Sequence, residues 1–266
     1  MKFLNLKLMT IAAGAIGAMV LAPLASATVV GELQTSAEAG GGGVTVSDSA
    51  ITFLTGTNGN CPSSGTCDFS VSSGTTMTYG PGSTTPVATS DNGTFESLVF
   101  NTPPSQPFMV LYNSAGTAQI DFDLTTLSSP SPTNGTNCAG VTTPGSSCIA
   151  FAGSPFLLTL APNGSSTSVT LSLSGEAIDL ENSDATSGYT GSLAETVNET
   201  PAQIQAAFCG AQTNYSTPCS TTTTITTGHT GEFIASVVPE PTTAFLGLSG
   251  LLMAAGLYRR RRNRKV

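Results

Sequence analysis

The sequence predicts an all-β body, a β-sandwich or jelly-roll-like ectodomain with one short helix, set between an N-terminal signal helix and a C-terminal transmembrane helix. Three observations predict it. Short segments with apolar residues at every second position recur through the middle of the chain. Turn-forming pairs punctuate that region, at Asn58-Gly59, Asn92-Gly93, Asn134-Gly135 and Asn163-Gly164. Only 9% of residues are charged and Trp is absent. Ser, Thr, Gly and Asn take the place of the charges, a mix that fits pleated strands and tight turns.

Three segments follow along the chain: residues 1–27, a body over 28–237 and a tail over 238–266. Lys2 and Lys7 precede the apolar run LMTIAAGAIGAMVLA at 8–22, Pro23 interrupts it, and Ala25-Ser26-Ala27 supplies small residues at the positions a signal peptidase reads. This predicts export, with cleavage between Ala27 and Thr28.

In the body, strands are expected at 44–46, 95–100, 108–112, 120–124, 156–160, 169–173, 176–180, 189–197 and 233–237. Residues 40–43 (GGGG) read as a linker or loop. One helix is expected from Pro201 through Phe208, because Thr200 caps it, Pro201 opens it, Gln203 completes a capping box and Gly210 stops it.

The six cysteines form three close pairs, Cys61/Cys67, Cys138/Cys148 and Cys209/Cys219. In an exported chain, neighbours in even number predict disulfides. Each short loop closed this way stabilises the fold by about 2–3 kcal/mol in the chain-entropy model.

Charge narrows the function classes. No Lys or Arg lies between Thr28 and Val238, whereas fifteen of the sixteen carboxylates do. Such a body repels phosphate backbones, so nucleic acid is excluded as a partner. No nucleophile elbow, P-loop or HExxH occurs. His229 is the one histidine and is expected as a solvated turn residue rather than a catalytic base. Glu176, Asp179, Glu181 and Asp184, or Asp121 with Asp123, offer paired carboxylates for glycan hydrolysis. Asp179, Glu181 and Asp184 also form a weak calcium candidate. No catalytic residue and no cofactor are assigned. Five Asn-x-Ser/Thr sequons, at Asn92, Asn134, Asn163, Asn198 and Asn214, are ordinary in so Ser/Thr-rich a chain.

The tail has three parts in order: Pro239-Glu240-Pro241, the apolar run TTAFLGLSGLLMAAGLY at 242–258, and a basic end at 259–266 containing Arg259, Arg260, Arg261, Arg262, Arg264 and Lys265. As a helix the run is about 25 Å long, at the short end for a bilayer crossing. The basic end places itself in the cytoplasm and the body outside. This arrangement resembles the PEP-CTERM sorting signal. The resemblance implies an inner-membrane intermediate, processing by the membrane enzyme exosortase near the triplet, and final residence at the cell surface or outside the cell. The same tail occurs on some ice-binding proteins. The implied role is a non-enzymatic structural or glycan-interacting protein of the surface or extracellular matrix, with extracellular polysaccharide as its partner. An ice-binding module, with threonines 221–227 (TTTTITT) in a row, and a secreted glycan hydrolase are the alternatives.

Overall fold

The computed structural model describes residues 29–236, except 57–66, 101, 103, 105, 183, 184, 211, 213, 218 and 220–222. The expected signal helix and transmembrane helix lie outside the described residues. Among those described, no helix is long and apolar enough to cross a membrane.

The regular structure of the body is almost all antiparallel strand. In chain order these are β1 (Gly31–Ala37), β2 (Gly43–Val46), β3 (Ala50–Leu54), β4 (Phe69–Val71), β5 (Thr78–Tyr79), β6 (Thr85–Pro86), β7 (Asn92–Phe95) and β8 (Leu98–Val99). They continue with β9 (Met109–Tyr112), β10 (Ala118–Leu127), β11 (Ser147–Cys148), β12 (Phe156–Leu160), β13 (Thr167–Asp179), β14 (Ala185–Val197), β15 (Ile225–Thr227) and β16 (Thr230–Ser236). A 3-10 turn at Cys138–Gly140 and helix α1 (Pro201–Cys209) complete the set.

The all-β expectation stands, but the architecture differs from a sandwich or jelly roll. Eight strands run β10-β9-β7-β4-β1-β16-β14-β13, and β13 then pairs back onto β10, closing a barrel. The thirteen-residue β13 makes closure possible. Its second half pairs with β10, while its first half pairs with β12 beyond the barrel end. Two irregularities in β10, near Ala118/Ile120 and Leu124/Thr126, give the local twist that curls a sheet upon itself. Gly175 lies where β13 crosses β10, and a Cβ there would sit 1.8 Å from the Asp123 carbonyl oxygen. Only glycine allows that approach.

The interior is filled by the alternate residues of these strands. Leu33, Phe69, Met109, Leu111, Ile120, Phe122 and Phe233 are fully buried. A second sheet, β15-β2-β3-β8, covers one barrel end as a lid. Its Phe53 stacks on Phe95 of the barrel with centroids 4.5 Å apart. At the other end, the β5–β6 hairpin bridges Val30 to Thr78 and buries Met77 and Tyr79.

Several sequence expectations move. Asn92-Gly93 is not a turn: both residues are buried in β7, where Gly93 admits the Phe69 ring and the Val110 carbonyl. Asn163-Gly164 does turn the hairpin between β12 and β13, with Gly164 at φ +69°. The segments expected at 169–173 and 176–180 are one continuous strand, β13. The central strand β1 was not foreseen, since GELQTSA barely alternates in polarity. Helix α1 forms as read: Thr200 N–H donates to Gln203 Oε1 at 2.8 Å, and Gly210 follows at φ +58°. Gln205 then fastens the helix by donating to the carbonyls of Thr136 and Ala150 at 2.8 and 2.7 Å.

Candidate functional site

The carboxylates singled out in the sequence separate into two places. Asp121, Asp123 and Glu176 stand on the outer barrel surface, Asp123 directly opposite Glu176 in the β10–β13 register. Asp179, three residues after Glu176, points the other way because strand side chains alternate. It is completely buried, and its carboxylate accepts the N–H groups of Gly80 at 2.6 Å, Glu181 at 2.9 Å and Asn182 at 3.1 Å. Asp179 therefore anchors the β5–β6 hairpin and the turn after β13. Glu181 is exposed in that turn, and Asp184 lies outside the described residues. Among the described residues, no group of three or more His, Cys, Asp or Glu converges to hold a metal ion.

His229 is not a solvated turn residue. It is 3% exposed, wedged edge-on against Phe53 at 5.7 Å and Phe95 at 5.5 Å. Neither ring nitrogen has a hydrogen-bond partner, so no Ser-His-Asp relay is assembled around it. Burial alone pushes its pKa down to about 4, keeping the imidazole neutral. Beside it lies an apolar cavity of about 50 Å³. Val44 and Ile51 of the lid, Leu171 and Leu193 of the barrel wall, and Ile204 and Phe208 of α1 line it.

Other polar groups also lie in the interior, and of these the Tyr189 hydroxyl and Asp68 Oδ1 have no hydrogen-bond partner. Asp68 accepts the Phe95 N–H at 2.7 Å, and its pKa is raised because burial outweighs that bond. Tyr79 is pushed up to about 12, mainly by burial and then by the charges of Glu181, Asp91 and Asp179, while its hydroxyl accepts from Gln119 Nε2. The Tyr189 phenol is also raised, by burial first and Asp123 second.

A ladder of hydroxyls runs along the outer face of β13 and β14. The register sets Ser168 against Thr196, Thr170 against Ala194, Ser172 against Ser192 and Ser174 against Thr190. All of these are partly or fully exposed. Same-face residues repeat every ~6.8 Å along a strand, so the four pairs form a track about 20 Å long. Its own positions carry no charge until Glu176, while the exposed Glu232 of β16 lies opposite Ser192 on the flank. On the flank, Thr230 of β16 lies opposite Ala194 and donates to its carbonyl at 2.9 Å. The signal for this track was present in TSVTLSLSG as the polar half of the alternation; attention to the apolar half alone passes over it.

The threonine run at 221–227 contributes less than its sequence suggests. Residues 221 and 222 lie outside the described set, and only Ile225–Thr227 form strand β15, where Thr226 meets Thr45 across the lid at 3.3 Å between hydroxyls. Of the sequons, Asn92 is buried, whereas Asn163 and Asn214 use their side-chain oxygens to hold exposed turns.

Cys138 is bonded to Cys148 and Cys209 to Cys219, with Cα atoms 5.2 and 4.7 Å apart. Cys67 is also disulfide-bonded, and its expected partner Cys61 lies outside the described residues. The cleavage residues Ala25, Ala27 and Thr28, the triplet Pro239-Glu240-Pro241 and the basic end from Arg259 to Lys265 lie outside them as well.

Comparison with known proteins addresses the tail. No curated protein and no solved structure matches the chain. Residues 237–262 match the family model of the PEP-CTERM protein-sorting motif. That match spans the triplet, the apolar run and the first four arginines. The chain carries a PEP-CTERM sorting tail, and such a tail implies export through a membrane-anchored intermediate and processing by exosortase.

Proposed function

We propose that this is a non-catalytic protein of the bacterial surface or extracellular matrix that holds uncharged extracellular polysaccharide through the hydroxyl ladder of β13 and β14. The observation that carries the reading is the sorting motif at 237–262, which implies export of the body. The ladder gives that body a means of engagement. Hydroxyls both donate and accept, as sugars do, and small Ser and Thr side chains lose little rotamer freedom on binding. A body without Lys or Arg has no cation with which to grip an anionic polymer, so neutral glycans are the matching class.

The test is retention on immobilised neutral glucans, with an anionic polysaccharide as comparison. Wild-type protein is retained on the neutral matrix, and the double variant Ser172→Glu, Ser192→Glu elutes with the void while its circular dichroism is unchanged. Equal retention of the two proteins, or none by the wild type, removes the ladder from the reading. An ice-binding module is the second reading, supported by the same ordered hydroxyls. Thermal hysteresis lost in the double variant would favour it over glycan binding.

A further inference from the structure

The lid and the barrel meet at His229, and its surroundings there are unusual for a polar group. Phe53 reaches it from β3 of the lid and Phe95 from β7 of the barrel. Its carbonyl accepts the Ala37 N–H at the end of β1 at 2.8 Å, fixing the backbone while leaving the ring with apolar neighbours. Both ring nitrogens are sealed from solvent and unpaired. Buried polar atoms are almost always paired, and those that are not mark a place where the fold stores a cost.

The acidic groups around this seam do not neutralise it. Glu195 of β14 lines the same cavity, near Gly228. Asp68, before β4, is engaged with Phe95 N–H, and Glu38 follows β1. The described lid strands and their turns offer Asp48, between β2 and β3, and the exposed Glu96, between β7 and β8. None of them bonds the imidazole, and burial is the cause of its lowered basicity.

We infer that His229 is an acid-sensitive pin between the lid sheet and the barrel, and that taking up a proton there releases the lid. An imidazolium needs water or an anion on both nitrogens, and the Phe53–Phe95 seam supplies neither. The least costly relief is to part the two layers. The cavity beside His229 already thins the packing at that point. Parting exposes the apolar inner faces of β2 and β3, Val44, Val46, Ile51 and Phe53, which are buried in the closed arrangement. The barrel, closed on itself by β10 and β13, does not depend on the lid for its hydrogen bonds.

The chain's one histidine makes the test direct. In the exported protein, its imidazole NMR signal and the methyl signals of Val44 and Ile51 should titrate together, well below the usual histidine range. Binding of a hydrophobic dye should rise several-fold with the same midpoint, while the methyl signals of Leu33 and Ile120 in the barrel stay unchanged. His229→Phe should abolish the dye transition across that pH range. If the variant does not fold, the wild-type titration still decides. An imidazole that protonates with no change at Val44 and Ile51 overturns the inference, as does lid and barrel loss at a single common midpoint.

Discussion

The carboxylate of Asp179 accepts the Gly80 N–H at 2.6 Å, tying the end of β13 to the hairpin that closes one end of the barrel. Two further N–H groups, of Glu181 and Asn182, converge on its other oxygen. Removing this side chain strands three backbone donors. Hydrogen bonds to a charged acceptor are worth about 1.5–3 kcal/mol each and are not additive, so Asp179→Ala should cost about 3–5 kcal/mol in urea unfolding. The loss should be the same with calcium or with chelator, because the residue acts on backbone. A loss that appears only in chelator would restore the calcium reading.

Gly175→Ala should be among the most damaging single-methyl changes. The added carbon meets a backbone oxygen of β10, which cannot move without opening the barrel seam. We expect about 3 kcal/mol or more of destabilisation, at the upper end of overpacking effects. Gly135→Ala is the control: nothing lies within 4 Å of its Cβ, and only its φ of +56° is strained, at a cost of about 1 kcal/mol. Similar costs at the two positions would mean that β13 and β10 do not approach as described.

Acid should weaken the fold through His229 and be partly opposed by Asp68. The histidine's folded pKa of about 4 lies below its ordinary 6.5, so the unfolded chain takes up the proton first. Its contribution is fully present above about pH 6.5, falls as pH drops towards 4, and totals about 3 kcal/mol. Asp68 is raised above its ordinary 3.8, so its contribution has the opposite sign: present below that value, and lost as pH rises through the folded pKa. Urea unfolding at pH 7 and pH 4.5 should show a smaller drop in His229→Phe than in wild type. Parallel drops would assign the acid sensitivity to other groups.

The tail prediction separates a sorting signal from a plain anchor. Replacing Pro239, Glu240 and Pro241 with alanine leaves the apolar run and the arginines intact, so insertion and orientation should be unchanged. With exosortase present, wild-type protein should lose its tail and reach the surface or medium. The alanine variant should remain full length after signal-peptide removal and stay in the inner membrane. Equal processing of both, read by mass spectrometry, would make the triplet a spacer.

Much of this protein is written locally and could be read without a fold. The capping box at Thr200, the turn at Asn163-Gly164 and the strand at 156–160 depend on neighbours within a few residues. The sorting tail is likewise a contiguous pattern, recognisable from the order of its three parts alone. Barrel closure is different. It rests on Ile120 finding Asp179 across 59 positions, a pairing that alternation permits but does not select. The same holds for the functional surfaces. The hydroxyl ladder exists only when β13 and β14 lie in register, and His229, in a Thr/Gly-rich stretch that reads as solvent-exposed, is buried only because Phe53 and Phe95 arrive from two different sheets. Composition and short motifs determined that the chain carries a sorting tail and that it folds as β structure. Long-range pairing, which sets burial and therefore charge state, decided which of its polar residues face solvent and which hold the interior together.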